Sequence, residues 1–257
     1  MLDRFHELDQ IILYPVLIVL FEGAAESGAW LGRRFRDVTT GGADIGTLAG
    51  AALGLLALLL GFSFSLALSR HDMRRTMVLQ EANAIGSTAN FALMLPEPAR
   101  GQILSLLRDY VAVRIGLGVP FDPSKLDKDI ARSLDLQARL WRQAMAVTEA
   151  APQSLPAYRF VASLNEMNNI HESRIMALRY HVPGAIIVML TAVAMVAMGF
   201  TGYQAGATGS RRRVSTLIMS VTVATVLILV VDLDQPARGW IQVPVQPLVD
   251  AASGIQS

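Results

Sequence analysis

The sequence predicts an all-α membrane protein with four transmembrane helices, the second and third extended into a long helical hairpin that carries two further helices outside the bilayer. Three observations predict it. Of 257 residues, 53% are hydrophobic and only 17% charged, where a soluble domain carries about 25% charged residues; the mean hydropathy is +0.42. The apolar residues gather in runs long enough to cross a hydrocarbon core about 30 Å thick as helix. The polar stretch between the second and third runs repeats its apolar residues at helical spacing and shows no alternating strand pattern. A net charge of +1 gives no reason to invoke nucleic acid, and the absence of cysteine excludes disulfides, thiolate catalysis and cysteine-ligated metals.

The expected division is an N-terminal tail with two spans over residues 1–68, an extramembrane helical domain over 69–181, two more spans over 182–231 and a C-terminal tail over 232–257. The purely apolar part of the first span, residues 11–21, is about half a membrane thickness at 1.5 Å per residue. To cross, it must continue to Leu31 and carry Glu22 and Glu26 with it. Its competing reading is a cleaved signal peptide ending at Gly23-Ala24-Ala25. The acidic start (Asp3, Glu7 and Asp9 against Arg4) is the wrong charge for that, so a retained span is expected. Residues 45–68 carry no charge and form the clearest span; 182–203 and 214–231 complete the set.

Within the helical domain, Leu95-Pro96 ends one helix and Pro98 opens the next, whose apolar face is Ile103, Leu106, Leu107, Tyr110 and Val111. A loop through Gly118 and Pro120 leads to a helix over residues 126–148, and Pro152 and Pro156 bound the last one. Met73, Met77, Gln80 and Ala84 begin one series at alternating steps of four and three, and Leu164, Asn168, His171, Ile175 and Val182 belong to another. Such heptads wind helices together, so the outer two helices are expected to run on from the spans, with Asn168 and His171 fixing register. The Glu81–Ser87 run is unusual for a helix interior because Asn83 and Gly86 weaken helices. Close packing or a hinge would explain it.

Helices in lipid gain no hydrophobic energy by associating, so small residues at four-residue spacing favour close approach. Gly46, Gly50 and Gly54, with Gly61 further along, are the expected packing residues of the second span. Glu22 and Glu26 lie one turn apart as intramembrane charge, either handling ions or protons or pairing with Arg33, Arg34 or Arg36, and Ser27, Gly28 and Ala29 would let another helix approach there. The four histidines have no metal-ligand spacing, so no metal and no cofactor is expected. Asp232 and Asp234 read as a solvated membrane-edge pair rather than a cation site. No nucleotide loop, nucleophile elbow or triad spacing appears, and no enzyme is expected.

Leu59-Leu60-Gly61-Phe62-Ser63-Phe64-Ser65, Ser69-Arg70, Arg74-Arg75 and Glu81-Ala82-Asn83-Ala84-Ile85-Gly86 together resemble the bacterial bestrophin-like integral membrane family. Leu233-Asp234-Gln235-Pro236, Gly239, Val243 and Pro247-Leu248 are similar to it as well. More distantly, Leu60-Gly61-Phe62 followed by Arg70 is similar to the second span of the bestrophin anion channels. That resemblance implies a homo-oligomer, pentameric if bestrophin-like, with the second span lining an ion-conducting, anion-preferring pore. Its pore neck maps onto Gly54, Leu58 and Phe62, and Leu66 extends the same helix face. Gly54 and Leu58 depart from the larger residues of the channels, and His71-Asp72 replaces their tryptophan pair.

The expected function is therefore an oligomeric channel in the bacterial inner membrane. The alternatives are that Phe62 is buried against another span, and that the protein is a non-conducting scaffold or envelope sensor whose helical domain binds a partner. Arg33, Arg34, Arg36 and Arg211-Arg212-Arg213 in the short loops point those loops to the cytoplasm and the helical domain to the extracytoplasmic side. Arg70, Arg74, Arg75, Arg174 and Arg179 pull the other way, as does the resemblance to bestrophins, which implies a cytoplasmic helical domain.

Overall fold

The computed structural model describes residues 10–35, 42–117, 123–179, 182–209, 213–235 and 240–256. His6, Arg36, Asp37, Gly118, Pro120, His181, Arg211, Arg212, Pro236 and Gly239 lie outside them. The described residues form eight α-helices: α1 (Gln10–Arg34), α2 (Gly42–Ala92), α3 (Ala99–Gly116), α4 (Pro123–Ala150), α5 (Leu155–Arg179), α6 (Gly184–Thr208), α7 (Arg213–Asp234) and α8 (Gln246–Gln256). They belong to two compact units, one of Met1–Ser69 with His181–Gln235 and the other of Arg70–Tyr180 with Pro236–Ser257.

Four helical segments are long and apolar enough to cross a membrane: Ile11–Arg34, Ile45–Ala92, Gly184–Thr208 and Arg213–Asp234. The protein is thus an all-α membrane protein. The first span continues through Glu22 and Glu26 as a single 25-residue helix, about 37 Å long at the usual rise. The core of the membrane unit is built from Leu13, Leu17 and Phe21 of α1, Leu56 and Leu60 of α2, Leu190, Ala194 and Met198 of α6, and Ala224, Leu227 and Val231 of α7.

The tightest helix pair in this unit is α1 with α6. A Cβ added at Gly28 would strike the Gly199 carbonyl, and one at Gly32 the Tyr203 carbonyl; reciprocally, Gly202 and Gly206 lie against the Ala25 and Ala29 carbonyls. Two small-xxx-small stripes therefore face each other, and the backbones touch because no side chain stands between them.

The expected continuation of α5 into the third span is broken. α5 closes at Arg179 and α6 opens at Gly184, with Pro183 at its N-cap in an extended conformation, φ −53° and ψ 127°. Proline has no N–H to give a helix and disfavours helical geometry in the residue before it, so the heptad pattern crosses a break that the dihedrals forbid. Val182 instead donates its backbone N–H to Asp234 Oδ2 at 2.8 Å. Asp232 and Asp234 are buried, at 2% and 1% exposure, and are not the solvated pair expected. Asp234 ties the end of α7 to the approach to α6.

In the second unit the α3 face expected from spacing is buried in full: Ile103, Leu106, Leu107, Tyr110 and Val111. These pack with Ile85 of α2, Leu140 of α4, and Phe160, Leu164 and Met167 of α5. The C-terminal segment, expected as a tail, supplies α8, which packs against α3 and places Leu248 and Ile255 in the same core. α2 runs unbroken through Asn83 and Gly86, and a Cβ at Gly86 would meet nothing within 4 Å. Neither a hinge nor a close neighbour within the chain accounts for that glycine.

Gly202→Leu should destabilise the protein by about 3 kcal/mol, the upper end for overpacking, because the side chain meets the Ala25 backbone rather than a movable group. Gly50 has nothing within 4 Å of an added Cβ, so Gly50→Leu should leave the fold of the single chain intact. Thermal unfolding in detergent checks the first. Oligomer size checks the second: a loss of assembly without unfolding would report a neighbouring copy at Gly50.

Candidate pore face and buried charge network

Leu56 and Leu60 turn one side of α2 into the membrane core, at 2% and 7% exposure. The opposite side carries Leu58, Phe62 and Leu66 at 56%, 67% and 41% exposure, each one step of four residues from the last and so stacked on one face. Gly54 continues that face and is exposed. Phe62 is therefore not packed against another span of its own chain. Of the glycines expected to pack, Gly46 approaches the flexible end of Gln204, while a Cβ at Gly50, Gly54 or Gly61 would meet nothing within 4 Å. Close approach inside the chain belongs to Gly28, Gly32, Gly202 and Gly206, which have the same four-residue spacing.

Glu22 and Glu26 share one side of a cleft of about 360 Å³ lined also by Ala29, Arg33, Gly206 and Arg213. Ser220 donates its hydroxyl to Glu22 Oε1 at 2.7 Å. Arg213 Nε stands 3.5 Å from Glu26 Oε1, with both side chains at least half exposed. The expected pairing with an arginine exists, but the cation comes from the start of α7 rather than the end of α1. Arg33 lines the same cleft.

The helical unit holds a polar site that the sequence reading did not find. Glu81 of α2 is completely buried and receives two arginines: Arg114 Nε of α3 at 2.6 Å on Oε1, and Arg174 of α5 through its Nη1 on Oε2. Tyr110 donates its hydroxyl to Glu81 Oε1 at 3.2 Å. That uses the only phenolic proton, so His171 donates from Nδ1 to the Tyr110 oxygen at 3.0 Å. Gln137 of α4 donates to the same oxygen at 3.4 Å. Four helices thus meet on one carboxylate and one phenol. The side chains are placed by helical spacing: Tyr110 and Arg114 are one turn apart on α3, as are His171 and Arg174 on α5.

Burial opposes the Glu81 charge, but the Arg114 and Arg174 guanidiniums outweigh it and hold the carboxyl below its usual range. Burial, aided by the charges of Arg114 and Arg174 and resisted by Glu81, pushes His171 down to about 4. Burial and the Glu81 charge raise the Tyr110 phenol, which stays protonated. The network is therefore ionic at its centre and neutral at its histidine. His171, expected to fix register on a heptad seam, instead fixes the Tyr110 hydroxyl.

Removing one member of a buried ion pair strands the others without compensation, at about 3–5 kcal/mol. Glu81→Gln should destabilise the protein by that order, while Glu97→Gln, which alters an exposed pair with Arg100 and keeps an amide oxygen for the Gly101 backbone N–H, should leave thermal unfolding near wild type. Acid should also weaken the fold. Both folded-state values lie below the unfolded ones, so the unfolded chain binds more protons as pH falls and stability is lost in that direction. For His171 the loss runs from about pH 6.5 to about 4. The unfolding midpoint of His171→Gln should be flatter than wild type over that window.

The bestrophin-like domain family matches residues 19–248. The fold is also that of solved structures. A bacterial bestrophin homologue from Klebsiella pneumoniae superposes with a TM-score of 0.67 at 15% identity, covering 96% of this chain and 97% of that chain. A leucine-to-threonine variant of a Klebsiella pneumoniae homologue superposes at 0.66 and 17% identity, covering 96% and 98%. No curated protein gives a significant match. The family match takes in about two thirds of the first span, the other three spans in full and the whole buried network, and on that basis the chain belongs to the bestrophin-like family.

Proposed function

We propose that the protein is a homo-oligomeric ion channel of the bacterial inner membrane, with α2 lining an axial pore and Gly54, Leu58, Phe62 and Leu66 forming its wall. The observation that carries this reading is the two-sidedness of α2. Leu56 and Leu60 satisfy the chain's own core, while the opposite face leaves the large apolar side chains Leu58, Phe62 and Leu66 exposed among the described residues. Repeated around a symmetry axis, Leu58, Phe62 and Leu66 would make three stacked apolar rings about 6 Å apart along the helix. An apolar constriction of this kind can gate by dewetting.

Gly50, Gly54 and Gly61, where an added Cβ would meet nothing within 4 Å among the described residues, would let neighbouring copies approach. A pentamer and an anion preference rest on the resemblance; the extracytoplasmic placement of the helical unit rests on the loop arginines and runs against the resemblance.

Phe62→Ala removes the bulkiest ring, and so the tightest constriction, without touching the chain's own core. Reconstituted in liposomes, it should conduct severalfold more than wild type while keeping oligomer size. Flux at the empty-liposome level for both proteins, with the oligomer intact, would reject the channel in favour of a scaffold or sensor whose helical unit binds a partner.

A further inference from the structure

Arg114 is the largest side chain with no exposed surface in the described protein. Only its Nε–H is used, on Glu81. Both terminal nitrogens are enclosed without a hydrogen-bond acceptor, and a guanidinium carries four of its five donors there. The charge count is also unbalanced. Arg114 and Arg174 bring two positive charges to the single negative charge of Glu81, while Tyr110, Gln137 and His171 are neutral. The acidic residues nearest in sequence on α3 and α5, Asp109, Glu166 and Glu172, are exposed. One net positive charge is therefore buried within the helical unit, where an uncompensated ion is strongly disfavoured.

Water could satisfy the Arg114 donors but not the charge. A divalent anion would overshoot it. We propose that the terminal nitrogens of Arg114 hold a small monovalent anion, of halide or nitrate size, inside the helical unit. His171 is not the receptor: its Nδ1 carries the proton donated to Tyr110, so Nε2 presents a lone pair. The ion completes the network as a structural ligand and is separate from any ion passing along α2.

The test uses the full-length protein purified in gluconate and titrated with chloride, bromide or nitrate at constant ionic strength. Each should raise the unfolding midpoint saturably, by about 5 °C where ligand is well above its dissociation constant, and sulfate should not. Phe62→Ala should keep the response, and Arg114→Gln should lose it. Should Arg114→Gln fail to fold, anomalous scattering from wild-type crystals grown in bromide decides: a bromide peak beside the Arg114 terminal nitrogens supports the site. A midpoint indifferent to the anion, a response retained by Arg114→Gln, or water alone beside Arg114 would overturn it.

Discussion

In a bilayer an apolar side chain gains nothing by leaving lipid for another helix, so what holds the spans of one chain together is close backbone contact. Here α1 and α6 supply it. Gly28 and Gly32 face Gly202 and Gly206 so closely that a single methyl group on Gly28, Gly32, Gly202 or Gly206 would collide with a carbonyl. The rest of the membrane unit is arranged around that pair. α7 adds Ala224, Leu227 and Val231 to its core, and α2 adds Leu56, Leu60 and Ala67 from one side. Because the α1–α6 contact needs nothing from the other side of α2, that side is left to meet either lipid or another copy of the chain.

The helical unit follows the opposite logic. Its apolar residues do gain by leaving water, and Ile103, Leu107, Leu164 and Met167 form an ordinary core. Into that core the chain places Glu81, Arg114 and Arg174. Such a buried charge set adds little net stability compared with apolar residues of similar volume, yet it is costly to disrupt. It demands one geometry of α2, α3, α4 and α5, because only one leaves Glu81 with both guanidiniums and Tyr110 with its three hydrogen bonds.

How much of this was legible in the sequence varied with how local the signal was. The four spans follow from apolar length, and the α3 core face from residue spacing alone. The glycine stripes were visible, but Gly28/Gly32 and Gly46/Gly50/Gly54 have the same spacing. Which stripe packs inside the chain depends on the partner helix, and it is the Gly28/Gly32 stripe that meets the glycines of α6. The buried network was not legible as a unit, since its members come from four helices and each arginine alone looks like a solvated flank. A partial signal existed: Glu81 lies one position from the apolar seam through Met77 and Ala84, and Tyr110 sits one turn from Arg114 within a face otherwise apolar. α8 was missed because a helix of 11 residues with one charge reads as a tail. Leu248 and Ile255, seven residues apart, were its only mark.

The central claim is that the unpartnered face of α2 belongs to a symmetric assembly with an axial path. It is tested most directly by a single-particle structure of the full-length protein in lipid nanodiscs. The account predicts a closed ring of subunits in which the Phe62 side chains converge on the symmetry axis at the narrowest point of a continuous pore. A particle in which α2 lies on the outside with Phe62 in lipid, or one with no opening along its axis, would contradict it.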